Sequence, residues 1–279
     1  MIDEKDTRWD DNQRVRQMSW KTIVKFWNDL PLEEAPYIHP FDQPRIVAIS
    51  KTKKYSTTSF DQFLTTKQFG GKSTALELGL FPQPYAGDLE RAELLILLLN
   101  PGLDPTDPWG EFNNKEFRNL LERNLKQDSL SGEEYPFIWL NPNLCWHSGF
   151  RYWFRKLHDV INFISQHDPA FEGSFLQAMK DVSRRIASVE LFPYHSMQFD
   201  HKPLLTLPSC ETAKQFARQA AKSGVRTVVT RGVSDWVLTG LPNVIEYEAK
   251  HWRGAHMGPN TPVGKEILTR VKQSPLITI

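Results

Sequence analysis

Three polar segments of this chain each follow an apolar run, and they hold the side chains best placed for chemistry. Asn100-Pro101-Gly102 comes straight after Glu93-Leu94-Leu95-Ile96-Leu97-Leu98-Leu99. Pro193-Tyr194-His195-Ser196 follows Ala187–Phe192, and a loop from His251 to Asn260, with His251 and His256, follows Asn243–Tyr247. Proline fixes φ and lacks a donor, while glycine accepts positive φ and a closely approaching ligand. Asn100 is thus a neutral amide on a rigid turn, able to accept and donate hydrogen bonds but not to serve as a nucleophile. Metal hydrolysis would need three convergent ligands from His195, His201, His251 and His256, and no His-Glu-x-x-His spacing is present. Cys145 and His147 are too close in sequence for the geometry of a cysteine hydrolase.

The elements that must position these residues alternate strand and helix from residue 91 onward. A continuous apolar run such as Glu93–Leu99 reads as a fully buried, parallel strand. Further strands are expected at Ala187–Phe192, Val225–Thr230 and Asn243–Tyr247, with a shorter one at Pro136–Leu140. Helices are expected around 114–126, 150–166, 171–185 and 211–223, and after Thr261 as cap with Pro262 at the first position. This pattern predicts an α/β fold, a three-layer sandwich with a mostly parallel central sheet. In such sheets ligands bind outside the C-terminal strand ends, where the three polar loops converge.

Residues 1–90 read as an N-terminal extension packed on the core, and residues 91–279 as the α/β domain. In the extension, Ser19 caps an expected helix to about Leu30, Arg45–Ser50 is an expected strand, and a helix is expected to start at Ser73. Gly70-Gly71-Lys72-Ser73-Thr74 has the look of a phosphate-binding loop, but Thr66 stands where its first glycine belongs and no buried strand precedes it.

The chain has 279 residues, 40% of them hydrophobic and 24% charged, enough for a sizeable core. A net charge of +1 announces no nucleic-acid partner, so any basic surface is local. Two cysteines, Cys145 and Cys210, imply neither an iron–sulfur cluster nor a disulfide framework. The start, Met1-Ile2-Asp3-Glu4-Lys5-Asp6, lacks the apolar segment of a leader, and no apolar run has the length of a membrane span. The expectation is a monomeric, cytoplasmic protein away from membranes.

Leu98-Leu99-Asn100-Pro101-Gly102-Leu103 resembles the first motif, Gly-x-Asn-Pro-Gly, of the mismatch-specific and single-strand-selective branches of the uracil-DNA glycosylase superfamily. His256-Met257-Gly258-Pro259-Asn260 resembles the second motif, His-Pro-Ser-Pro, keeping His and Pro three apart. The resemblance covers roughly residues 80–275 and places the motifs after the first and last strands, in the family's order. Leu98 replaces the first-motif glycine and Met257-Gly258 replace Pro-Ser, which points away from plain uracil as the substrate.

The resemblance implies a monofunctional DNA glycosylase that hydrolyses the N-glycosidic bond of a flipped-out, modified or non-canonical pyrimidine, in repair or antiphage defence. It implies no metal and no organic cofactor, and no lyase step, since neither motif offers a lysine. Asn100 would position water and His256 would stabilise the departing base, with His251 its rival. Pro101, Gly102, Leu103, Trp109, Tyr194, His195 and Asn260 are the expected substrate-binding residues, and Phe112 is a second aromatic face. Glu190 is a weaker candidate, because a buried glutamate needs a partner to offset its desolvation. Met257 would wedge into the gap left by the base, and Arg231 and Arg253, with Lys250, Arg151 and Arg155, would meet phosphates. Within 136–147, Asn143 or His147 would read the base if that aromatic cluster reaches the pocket; simple core packing is its other reading. The alternative for the whole chain is a non-catalytic nucleic-acid-binding protein on the same fold.

Overall fold

The computed structural model of the protein describes residues 11–68, 73–200, 202–247 and 257–273. At its centre the apolar run forms strand β4 (Leu94–Leu98), buried at every position. Its side chains alternate between two cores, Leu95 and Leu97 in one and Leu94, Ile96 and Leu98 in the other. Both faces of the sheet are therefore covered, which is why the run lacks polar alternation.

Around β4 the sheet takes the order β3-β5-β4-β6-β7, with β3 at Tyr85–Ala86, β5 at Ile186–Glu190, β6 at Arg226–Val229 and β7 at Val244–Glu246. β5, β4, β6 and β7 pair in parallel, and β3 runs antiparallel along β5. The fold is α/β with a mixed, mostly parallel sheet. The expected strands at 93–99, 187–192, 225–230 and 243–247 are found with bounds shifted by one or two residues. The chain leaves β4 toward β5 on one side and then crosses to β6 on the other. Such a reversal opens a crevice between the C-terminal ends of the strands.

One core is closed by α1 (Asp11–Asn28) and α8 (Pro208–Lys222), through Ile23, Val24, Trp27, Ala213, Phe216 and Ala217. The other is closed by α5 (Lys115–Lys126), α6 (Ser148–His167), α7 (Phe175–Arg185) and α10 (Pro262–Gln273). α10 begins as its sequence predicts, the Gly264 N–H donating to Thr261 Oγ1 at 3.2 Å. β3, in sequence ahead of residue 91, joins the main sheet, and α1 packs directly on α8.

Four expectations for local structure are corrected. α1 starts at Asp11, well before Ser19. Residues Gln43–Ala48 form a helix, α2, because Pro44 sits in its first turn, where a missing N–H costs nothing. The segment after Ser73 stays extended and becomes β2 (Leu76–Glu77), which pairs with β1 (Lys54–Tyr55) and bridges His195. Residues Ile138–Leu140 form a 3₁₀ turn, with the Phe137 N–H held by Ser183 Oγ at 3.0 Å. Phe137, Ile138, Trp139 and Leu140 are all buried, so a tight turn imitates the apolar run of a strand.

Candidate functional site

Every backbone carbonyl at the end of β4 is tied down. Leu97 O accepts from Thr230 N–H at 3.0 Å, Leu98 O from Trp236 Nε1–H at 3.0 Å, and Leu99 O from Phe192 N–H at 2.9 Å. From this fixed point the chain turns through Asn100, Pro101 and Gly102, the last with φ of 79°, a left-handed value that glycine adopts freely. A Cβ on Gly102 would meet nothing within 4 Å, so its conformation, not crowding, selects glycine there.

Asn100 donates from Nδ2 to both the backbone O and the Oγ of Ser196, each at 3.3 Å. Ser196 is fully buried in the loop after β5, so the amide is oriented by a rigid neighbour. These bonds consume the Nδ2 donors and leave Oδ1 with no partner among the described residues. Asn100 lines a cleft of about 650 Å³ together with Pro101, Gly102 and Leu103. That volume suits a small-molecule or single-base site.

The walls of the cleft come from other elements. Asp107 stands in the first turn of α4 (Thr106–Asn113) and reaches back to accept the Asp104 N–H at 2.6 Å, in the manner of a capping box. Its other oxygen lies 3.2 Å from His147 Nε2. His147 Nδ1 accepts the Gly149 N–H at 3.0 Å, which puts the ring proton on Nε2. Burial pushes the Asp107 carboxyl up, but His147, the nearby charge of His195 and the Asp104 N–H outweigh it and hold it below its ordinary value. The His147 ring is stacked on Trp139 at 5.2 Å, so the aromatic cluster of 136–147 both packs the core and walls the cleft.

Glu190 closes β5 directly beside Leu98 and faces the same cleft. It is only 9% exposed, and its Oε2 has no hydrogen-bond partner among the described residues. Burial raises its pKa to about 8, with Arg231 pulling the other way. Arg231 follows β6, and Tyr152 and Arg155 on α6 complete this side. Burial also raises the Tyr152 phenol above its usual value.

Several expected site residues are found elsewhere. Tyr194 is buried and donates to Asp42 Oδ2 at 2.6 Å, a contact within the core. His195 lies behind the Asn-Pro-Gly turn, its Nδ1 2.9 Å from Gly102 O and its Nε2 3.1 Å from Phe81 O. His195 braces the turn through Gly102 O, Tyr194 is tied to Asp42 and His39, and neither lines the cleft. Trp109 is 42% exposed and packs edge-on against Trp146, away from the cleft, and Phe112 packs with Phe63, Leu80 and Leu103. Met257 is fully buried in the second core, so its apolar side chain is an anchor for the chain entering α10 rather than a wedge. Asn260 is exposed and outside the cleft lining, as is Asn143. His256, His251, Arg253 and Lys250 lie outside the described residues. Asp107 and Tyr152 were not anticipated, and Trp139 entered only as part of the 136–147 cluster; the sequence signal for Asp107 was the Asp104-x-x-Asp107 spacing at a helix start.

No protein-family model matches the sequence, and comparisons with curated proteins and with solved structures give no match either. Among the described residues, no helix is long and apolar enough to cross a membrane.

Proposed function

We propose that the protein is a monofunctional DNA glycosylase on a three-layer, uracil-DNA-glycosylase-like fold, acting on a modified or non-canonical pyrimidine in repair or antiphage defence. The observation that carries this reading is Asn100, anchored through Nδ2 at the crevice of a mostly parallel sheet, with no partner for Oδ1 among the described residues. A water accepted by that oxygen would attack C1′ of the target nucleotide. The new C1′–O bond forms as the C1′–N bond breaks; the electron pair of the broken bond leaves with the base, and the proton released by the water neutralises the base anion. The ionised Asp107 carboxylate provides negative potential for the positive sugar of the transition state, in a site shielded from solvent. Trp139 and Tyr152 offer faces for a base removed from the stack. Arg155 and Arg231, both exposed at the cleft, are suited to the flanking phosphates. The role of His256 follows from the motif resemblance.

The test is release of free base, read by mass spectrometry, from single- and double-stranded DNAs carrying uracil, mismatched thymine, hydroxymethylcytosine or glucosylated hydroxymethylcytosine. Release abolished by Asn100→Ala and by His256→Ala supports the reading and names the base. DNA binding without release from any of these DNAs would instead favour a non-catalytic binding protein.

A further inference from the structure

Glu190 is a carboxyl in the cleft with a buried oxygen, Oε2, that has no hydrogen-bond partner among the described residues. A buried carboxyl oxygen without a partner forfeits hydrogen bonding that water would supply, and native proteins seldom leave such an atom without a reason. Its neighbours do not supply one: the Glu190 backbone N–H is spent on Pro84 O at 2.8 Å, and Arg231 acts on the carboxyl through its charge alone. The side chain lines the same cleft as Asn100 and sits beside Leu98, two residues before that amide. A ligand seated at Asn100 would therefore have Glu190 on its flank.

We propose that Glu190 reads the extruded base, meeting its hydrogen-bonding edge with the carboxyl group whose Oε2 has no partner among the described residues. This rests on the glycosylase reading of the same cleft. A neutral carboxyl presents one donor and one acceptor side by side, which complements adjacent ring and exocyclic groups such as N3 and N4–H₂ of a cytosine. An ionised carboxylate only accepts, and it would face the ring nitrogen of that edge with two lone pairs. Burial favours the neutral form up to a pH of about 8. Among the described residues, the charged and titratable groups that line the cleft with this carboxyl are Arg231 after β6, Tyr152 and Arg155 on α6, Asp104, and the Asp107–His147 pair, with Lys156 next to Arg155 on α6. Base recognition is then lost as pH rises past about 8, because the carboxyl surrenders its donor.

Binding tests this without turnover. The full chain carrying Asn100→Ala is titrated with fluorescent single strands holding hydroxymethylcytosine, cytosine, uracil or an abasic analogue, from pH 6.5 to 9.5. The ratio of abasic to base-containing Kd isolates the contribution of the base. With Glu190 present, that ratio is expected to fall about tenfold per pH unit above the carboxyl's pKa. In the Glu190→Gln, Asn100→Ala double variant it is expected to stay level, since an amide keeps a donor and an acceptor at every pH. The ¹³C carboxyl resonance of Glu190, assigned by its loss in Glu190→Gln, is expected to shift on adding the preferred strand. The same pH profile in both proteins, a resonance that ignores the strand, or no base-dependent affinity for any strand overturns the proposal. Release of free base by the wild-type chain on these strands is scored separately, so the glycosylase reading stands or falls on its own result.

Discussion

At the N-terminal ends of β4 and β5, Arg185 donates from Nε and Nη2 to Asp181 at 2.6 and 3.0 Å and from Nη1 to Glu93 at 3.0 Å. At the C-terminal ends of the same two strands, Glu190 Oε2 is buried with no partner among the described residues, and the half-buried Asn100 is held through Nδ2 alone among them. Both edges bury ionisable groups, and both belong to strands buried at every position. The first edge satisfies its charges internally, as a surrounding that serves only stability must. The second leaves polar valence open in a cleft, and a partner from outside can complete it. Perturbed carboxyls gathered in a cleft mark a functional site more reliably than any one of them does alone.

The sharpest way to break this comparison is to remove one residue from each edge. Asn100→Ala is expected to lower base release by about a hundredfold to ten-thousandfold. Its stability should fall by only about 1 kcal/mol, the worth of its bonds to Ser196, as read by denaturant unfolding. Arg185→Ala should do the reverse. It leaves Asp181 and Glu93 unpaired and should cost about 3–5 kcal/mol, with the release rate per folded molecule unchanged. If Arg185→Ala proved harmless while Asn100→Ala unfolded the chain, the contrast between the edges would be mistaken.

A subtler difference lies in pH. The Glu190 carboxyl holds its proton to about 8 when folded, against an ordinary value of 4.5. The folded state binds more protons than the unfolded one across that window, so stability declines as pH rises from about 4.5 to about 8 and then levels. Glu190→Gln should remove part of the decline. Glu111, also raised to about 8 by burial and held by the Phe81 N–H at 3.0 Å, supplies a further part. Unfolding midpoints in urea from pH 5 to 9 for the wild type and both Gln variants would show it. The smallest expected effect is at the rim. Arg155→Gln or Arg231→Gln should each reduce the slope of log Kd for DNA against log salt by about 0.7–0.9.

The sheet was legible because β4, β5, β6 and β7 are short apolar runs closed by turn residues, a pattern that a buried parallel strand shares with little else. Asn100 was legible for the same reason, standing where such a run stops at Pro and Gly. Tyr194 and His195 misled because they too are polar residues just beyond a strand. Only the fold shows that the chain there passes behind the Asn-Pro-Gly turn, where His195 meets the Gly102 carbonyl at 2.9 Å. Met257 misled because a loop methionine is equally suited to a wedge and to a core, and burial decides between them. Tyr152 was silent in sequence and Asp107 showed only as a helix-start spacing, since their approach to the cleft depends on how α4 and α6 pack rather than on local pattern. Glu190 was visible, and discounted because no partner could be named for it; that missing partner is now the strongest reason to examine it.

The central claim is that Asn100 works on a base in this cleft. The most direct measurement compares wild type and Asn100→Ala on one DNA from the panel, recording both affinity and alkali-revealed abasic sites. The account predicts comparable affinity, abasic sites formed by the wild type, and a rate at least about a hundredfold lower in the variant. Equal rates in the two proteins would contradict it and move the chemistry away from Asn100.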